Sequence, residues 1–372
     1  MEHYDLIIVG AGPAGSTLAR AMEDTGRRIL LLDKQDFPRD KTCAGWVTPA
    51  VLDSLDIDPE HYRKESVLQP IRRFRIGMMG QSPVENQYPE TVSYGIRRCE
   101  FDSYLLNRTR VPKQLATPVR SIHRSDGNWV INDTWSAPLL VGAGGHFCPV
   151  ARLLGEGPGR HETVVAAKEI EFAMPPDMAA RCQVRGDTPE LWFCRDLKGY
   201  GWIFRKDNYL NIGLGREDSH KLTEHLQAFV DDMVAQQRIP GDLPGRFHGH
   251  AYLLYGHARR PLLGDGILLV GDAAGLAYTR SGEGIRPAIE SALLAARVIR
   301  QAPDVSSTSL QAYGDAITER FGNRAGTTGH PIPDWIRMPL ARTLMRSHWF
   351  TRKVVTDHWF LHRSTPPLKQ AV

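Results

Sequence analysis

Two groups of residues far apart in the chain have the types and spacing to hold a dinucleotide. Gly10, Gly12 and Gly15 follow the apolar run Leu6 to Val9 and open a small-residue segment, Ala14 to Asp24, that reads as a helix. A strand ending in GxGxxG and feeding a helix lets the backbone turn tightly and approach a pyrophosphate, which the helix N–H groups then face. Arg28 to Leu32 reads as a second apolar strand, and it ends at Asp33, where an acid accepts hydrogen bonds from an adenosine ribose. The second group is GILLVGDAAG, Gly266 to Gly275, in which Asp272 emerges at the C-terminal end of a strand. Ligands of α/β sheets collect at such ends. An acid delivered there by a separate strand suits the ribityl chain of a flavin better than a nicotinamide ribose, so the two groups together imply FAD. Gly282-Glu283-Gly284-Ile285 then opens a helix reaching Arg300. Its positive end suits the pyrimidine side of a reduced flavin, where added electrons collect.

The rest of the chain must position these groups. At 372 residues, with 42% hydrophobic and 24% charged residues, it can build a large core and two intimately joined domains. The net charge of +4 helps attract an anionic cofactor, substrate or membrane surface but is no basic stripe, so nucleic acid is excluded as a partner. Cys43, Cys99, Cys148, Cys182 and Cys194 are odd in number and lack CxxC spacing. Neither a disulfide framework nor a metal site is expected. No signal peptide and no run of ~20 apolar residues is present, which places the expected protein in the cytoplasm.

Between Arg72 and Val141 short alternating segments (Phe74 to Met78, Asn128 to Ile131, Leu139 to Val141) read as strands. A strand-rich block from Val164 to Gly215 follows, then a helical stretch from Ser219 to Gln237. The expected fold is α/β, an α+β arrangement overall. A discontinuous Rossmann-like FAD-binding domain (1–72, 98–160, 255–303) interleaves with a β-sheet-rich substrate domain (73–97, 161–254), and a C-terminal helical segment (304–372) follows. From Pro331 to Leu368 the tail mixes tryptophans and aliphatics with arginines and lysines. One or two amphipathic helices are expected there, either capping the substrate domain or lying in the interface of the inner membrane face.

Several further segments carry a resemblance. Asp33-Lys34, then Pro38 through Lys41-Thr42-Cys43-Ala44-Gly45, is similar to an acidic-Lys, Pro, Lys-x-Cys-Gly-Gly sequence, with Ala44 in place of the first glycine. Arg98 to Asp102 looks like an Arg-x-x-Phe-Asp element, and Leu140 to Gly145 like a Gly-Ala-Asp-Gly strand end with Gly144 replacing aspartate. Tyr200-Gly201-Trp202-Ile203-Phe204 with Gly213-Leu214-Gly215 is similar to a YxWxFP...GxG signature in which Arg205 stands for proline. Together, over roughly Tyr4 to Arg300, these resemble flavoproteins of the para-hydroxybenzoate hydroxylase fold, and within them the geranylgeranyl reductase family.

That resemblance implies reduction of carbon-carbon double bonds in an apolar or lipid substrate of isoprenoid type, with NAD(P)H or a ferredoxin-like protein as electron donor. It implies Cys43, Tyr200, Trp202 and Phe204 as catalytic residues. With the glycine patterns, it implies Gly10, Gly12, Ala14, Gly15, Asp33, Lys34, Lys41, Cys43, Ala44, Arg98, Asp272, Gly282, Gly284 and Ile285 as FAD-binding residues. Aromatics at alternating strand positions also pack ordinary cores, and an isolated cysteine is often a small buried hydrophobe. A flavin monooxygenase or halogenase acting on an aromatic ring, and an electron carrier without an organic substrate, stay open as alternatives. The halogenase pattern WxWxIP is not matched.

Overall fold

Four runs of Leu, Ile and Val without polar alternation have the composition of strands buried on both faces. In the computed structural model, which describes residues 1–155, 164–218, 220–324 and 333–369, they form the centre of a six-stranded sheet. Its order is Leu263–Gly264, Ile267–Leu269, Leu139–Gly142, Leu6–Val9, Ile29–Leu32 and Lys113–Gln114. The pairing is parallel except at the Leu263–Gly264 edge. Helices Pro13–Ala21 and Ile285–Gln301 pack against one another beside it. Their closeness depends on small residues. A Cβ at Gly15 would overlap the Gly10 carbonyl oxygen, and one at Gly271 would press on Ala14 and Ala288 at 3.2 Å.

The second sheet has seven strands, in the order His248–Leu253, Val164–Ala173, Tyr209–Arg216, Gly199–Lys206, Glu190–Phe193, Arg73–Met78 and Val84–Gln87. Because strand side chains alternate, its two faces carry different residues. One face presents Ile170, Trp192, Ile203, Ile212 and Leu214 to helix Leu222–Ala235, forming a separate apolar core. The opposite face carries Phe74, Phe193, Trp202 and Phe204.

The two domains interleave along the chain, and two of the expected segments divide between them. Segment 73–97 divides: Arg73–Met78 and Val84–Gln87 join the large sheet, whereas Ser93–Ile96 pairs with Trp46–Val47 and Leu68–Ile71 in a small sheet. There Val47, Leu68 and Ile96 bury themselves in the nucleotide-domain core, which draws the strand away. The C-terminal segment also divides. Helix Ser307–Phe321 belongs to the nucleotide domain, because Leu310, Tyr313 and Ile317 are in its core and Tyr313 donates a hydrogen bond to the Leu269 carbonyl at 2.7 Å. The expected boundary at 160/161, residue Ser219 and Pro331 lie outside the described residues.

The last part of the chain forms helix Asp334–Leu344 and the π-helix Phe350–Phe360. Met345, Val355, Phe360 and Leu361 are buried on the aromatic face of the large sheet. Polar clamps assist: Asn86 donates to Thr351 at 3.0 Å and Tyr88 to Asp357 at 2.8 Å. The capping reading of the tail therefore describes its second helix. On the first, Trp335 and Leu340 are 77% and 50% exposed. Among the described residues no helix is long and apolar enough to cross a membrane.

The close approach at Gly15 sets an expectation for stability. Gly15→Ala should lower the unfolding free energy by ~1–3 kcal/mol or more in urea titrations of the protein, as overpacking does. An unchanged midpoint would mean that the turn relaxes without cost.

Candidate functional site

The three fingerprint glycines have three different local roles. Gly10 is at φ +112, and a Cβ there would lie 2.5 Å from the Ala143 carbonyl carbon of the neighbouring strand end. Gly15 allows helix and strand to touch. At Gly12, by contrast, a Cβ would meet only the end of the Arg39 side chain, at 3.3 Å, and the helix that follows has no side-chain cap. An open concavity in front of an uncapped helix N-terminus is the shape and charge that a pyrophosphate requires. Asp33 accepts hydrogen bonds from the amides of Ala11 at 2.7 Å and Gln35 at 2.9 Å, so its carboxylate also braces the glycine turn. Ala14 is buried in the helix packing, and Lys34 is exposed beyond the strand end.

Cys43 and its neighbours run from the nucleotide domain across to the large sheet. The left-handed backbone of this segment is at Gly45, φ +62, and not at Ala44, so the alanine in place of the first glycine is accommodated without strain. Lys41 Nζ lies 2.8 Å from His250 Nε2, and that ring is 3.9 Å from the Asp272 carboxylate. Burial depresses the Lys41 ammonium to about 8, against the pull of Asp272, with Arg98 and Arg39 adding repulsion. Burial alone would raise the Asp272 carboxyl, but His250, Lys41 and Arg98 hold it below its usual value. Gly284 and Gly282 border this group. A Cβ at Gly284 would sit 2.9 Å from Asp272 Oδ1, and one at Gly282 would strike the Tyr252 hydroxyl. Ile285 starts the helix behind them, which has no side-chain cap at Gly284.

Arg98 is buried and gives both Nε and Nη2 to Asp102 at 2.8 Å, while Arg39 approaches the same carboxylate at 3.3 Å. Its cation is stabilised, since the pull of Asp102 outweighs burial, and the Cys43 side chain is beside it. Lys41, Cys43 and Arg98 line a cavity of about 490 Å³ together with Glu169, Glu171, His248 and neighbouring backbone.

The YxWxF...GxG segment has a steric explanation. In the register of the two strands Trp202 faces Gly213 and Tyr200 faces Gly215. The Trp202 indole lies across this glycine pair: a Cβ on Gly213 would collide with it, and one on Gly215 would touch it at 3.6 Å. The indole N–H donates to Asn211 Oδ1 at 2.8 Å. Tyr200 donates its hydroxyl to the Ser281 carbonyl, next to Gly282. Phe204 is only 2% exposed and packs on Trp46 at 5.6 Å. Phe360 of the π-helix meets Trp46, Phe193 and Tyr200. The structure thus brings Cys43, Tyr200 and Trp202 to the junction of the two domains, with Cys43 on the cavity wall and Trp202 and Phe204 in the aromatic core of the large sheet.

The sequence reading missed four residues here, Glu169, Glu171, Lys206 and Asn211. Asn211 Nδ2 contacts Glu169 Oε2 at 2.6 Å, Glu171 Oε2 at 3.0 Å and the Cys43 carbonyl at 3.0 Å. Lys206, fully buried, pairs with Glu171 at 2.7 Å. The available signal is two glutamates two apart in strand Val164–Ala173, which must share one face. His250 also lay outside the motifs. Cys148 is buried against the Gly142–Gly144 turn, and no cluster able to hold a metal is present among the described residues.

A family model described as an NAD(P)-binding Rossmann-like domain matches residues 8–42. Over 326 residues, 80% of this chain and 77% of the relative, the chain is 29% identical to menaquinone reductase of Mycobacterium tuberculosis. It is 26% identical over 331 residues, 83% of this chain and 81% of the relative, to digeranylgeranylglycerophospholipid reductase of Methanocaldococcus jannaschii. A solved geranylgeranyl bacteriochlorophyll reductase-like protein of Thermoplasma acidophilum superposes with a TM-score of 0.75 at 22% identity, covering 93% of this chain and 88% of the other. An FAD complex of the halogenase PltM superposes with a TM-score of 0.68 at 15% identity, covering 86% and 74%. Fold and cradle together define an FAD-dependent oxidoreductase. Within that class the chain is similar to reductases of the geranylgeranyl type.

Two measurements follow from this geometry. Gly12→Val should fill the only open side of the glycine turn and leave protein without flavin, checked by the FAD released on acid denaturation; stoichiometric FAD would remove the pyrophosphate from this turn. Lys41 has a folded pKa of about 8 below its ordinary 10.5. The unfolded chain therefore binds the extra proton between those values, and flavin-free protein should gain stability from this group as pH rises through that window. Lys41→Met should flatten this gain in thermal melts compared pairwise with the parent.

Proposed function

We propose that the protein uses reduced FAD to saturate a carbon-carbon double bond of an isoprenoid or similarly apolar substrate. The single observation that carries the reading is the meeting of the flavin cradle with an aromatic sheet face: Tyr200 bonds to Ser281 beside Gly282, and Trp202 lies on the Gly213–Gly215 bed beneath the Cys43 segment. Relatives named for reduction of a digeranylgeranyl lipid and of menaquinone support the substrate class.

When bound and reduced, the flavin supplies a hydride. The chain's residues do the rest. Gly10, Gly12, Gly15 and the Pro13–Ala21 helix hold the pyrophosphate, Asp272 the ribityl hydroxyls, and Arg98 and Lys41 the negative charge nearby. Tyr200 and Trp202 hold an apolar chain in place and keep water from it, so that the reacting carbon is oriented before transfer. Cys43 stands where the chain passes from cofactor to substrate. The donor is NAD(P)H or a ferredoxin-like protein, and only one dinucleotide fingerprint occurs in the sequence, which suits transient docking of that donor.

The substrate reaches the site from a membrane surface in this reading. Trp335, Ile336, Leu340 and Trp349 are exposed at 77%, 41%, 50% and 67%, beside Arg342, Arg346 and Lys353. An apolar surface rimmed by basic residues suits the headgroup region of an anionic bilayer.

The decisive experiment mixes anaerobically reduced holoprotein with prenylated lipids, prenylated quinones or aromatic acids and follows flavin reoxidation together with product mass. A gain of two hydrogens in a prenyl chain is the expected result. Oxygen-dependent hydroxylation or halogenation of the aromatic acids would establish the monooxygenase or halogenase reading instead. Trp202→Ala should slow prenyl turnover much more than photoreduction of bound FAD. Equal loss of flavin and activity would make Trp202 a structural residue. The double variant Trp335→Ser, Trp349→Ser should sediment less with anionic liposomes than the parent; equal sedimentation would leave the tail as a cover alone.

A further inference from the structure

The polar half of the sheet face below Cys43 sets two carboxylates on one amide. Asn211 is oriented unambiguously, because its Oδ1 receives the Trp202 indole N–H at 2.8 Å. Its Nδ2 therefore has two hydrogens to give. Three oxygens converge on it: Cys43 O, Glu169 Oε2 and Glu171 Oε2, at 3.0, 2.6 and 3.0 Å. Glu171 Oε2 also receives Lys206 Nζ at 2.7 Å, so the two N–H groups of Asn211 are left to the Cys43 carbonyl and Glu169. Two carboxylates converging on one amide repel as like charges, and a proton on one of them removes that repulsion.

The charges decide which one. Glu171 is bound to Lys206 at 2.7 Å and to Arg97 at 3.3 Å, and these cations keep it ionised although burial opposes that. Glu169 is in no ion pair among the described residues, is 7% exposed, and lines the cavity that Cys43, Lys41 and Arg98 share. Burial, reinforced by Glu171, raises its carboxyl to about 7 against the pull of Lys206 and the hydrogen bonds from the Cys43 amide and Asn211. The other groups around it are His248, opposite in register on the neighbouring strand, and Asp40, Cys99 and Arg246 on the cavity wall.

We propose that Glu169 delivers the proton that completes double-bond reduction, and that Asn211 is its positioning residue. This rests on the alkene-reducing function proposed above. One alkene carbon gains a C–H bond from the hydride. The π electron pair forms the second C–H bond at the other carbon with the proton of the Glu169 carboxyl, whose O–H bond breaks. The alkene is reduced by two electrons, the reduced flavin is oxidised by two, and Glu169 is left as a carboxylate that regains a proton from water through the cavity. Asn211 ties the acid to the Trp202 indole and to the Cys43 backbone, so acid, aromatic wall and cofactor-side loop keep one geometry.

The test uses flavin-loaded protein and Glu169→Gln, which keeps an acceptor for Asn211. Infrared spectra of the parent should contain a protonated-carboxyl carbonyl band that titrates near pH 7, and its contribution should be missing from the variant. FAD content and photoreduction should match the parent, while single-turnover reduction of a prenyl substrate should slow by about 10²-fold or more and lose its pH dependence near 7. Asn211→Asp adds a carboxyl beside Glu169 and should move the midpoint of that profile upward, which a purely structural asparagine would not do. Parent-like turnover and pH profile in Glu169→Gln would overturn the proposal, and so would a parent spectrum with no band attributable to Glu169. If the parent itself fails to reduce any prenyl substrate, the alkene-reducing function falls and proton delivery falls with it. The infrared comparison then still separates a protonated Glu169 from an ionised one.

Discussion

The hydrogen bond from Asn211 to the Cys43 carbonyl is the point on which the two halves of the molecule align. Cys43 belongs to the segment that leaves the nucleotide-binding strand at Asp33, whereas Asn211 is central in the seven-stranded sheet. The nucleotide domain can hold a dinucleotide with its own glycines and Asp272. Chemistry on a second molecule needs the sheet at a set distance from that cradle. A buried amide with every group engaged gives such a distance, because shifting it would leave buried oxygens and the Trp202 N–H without partners, at about 1–3 kcal/mol for each.

Around that contact the sheet face separates into two environments. On one side Glu169, Glu171, Lys206 and Arg97 form a charged network whose cations are taken up by one carboxylate. On the other, Trp46, Phe74, Phe193, Phe204 and Phe360 form an apolar cluster. Trp202 has its ring in the second and its N–H in the first. Lys206 is tolerated at full burial because Gly45 and Gly95 leave room above it: a Cβ at Gly95 would press on its side chain at 3.0 Å, and one at Gly45 would strike its ammonium. The glycine at the end of the Lys-x-Cys sequence is thus required by a lysine that is 161 positions away in the chain.

Such long-range dependences explain what the sequence could and could not disclose. The cradle was legible because its physics is local: Gly10, Gly12 and Gly15 act within one turn, and Asp33 and Asp272 each stand at a strand end that apolar runs announce. The strands and the two helices beside them were legible for the same reason. Glu169 and Asn211 were not, since the face a strand residue occupies has meaning only when its pairing register is known. Phe204 looked like a pocket residue by resemblance, and only the packing of Trp46 and Phe360 assigns it to the core. Ala44 looked anomalous by position, and the structure transfers the left-handed backbone to Gly45 one residue later.

The C-terminal tail is where cover and access must be reconciled. Phe360, Val355 and Met345 complete the aromatic core, so an apolar substrate that is to lie beside Trp202 has to displace or pass along the π-helix. That helix is held by hydrogen bonds from Asn86 and Tyr88, and the chain after it is held by Arg286 and Arg320, which donate to the carbonyls of Thr365 and Pro366. The exposed tryptophans lie just before the anchored segment, on helix Asp334–Leu344 and at Trp349. The exposed tryptophan surface is therefore covalently continuous with the element that covers the aromatic face.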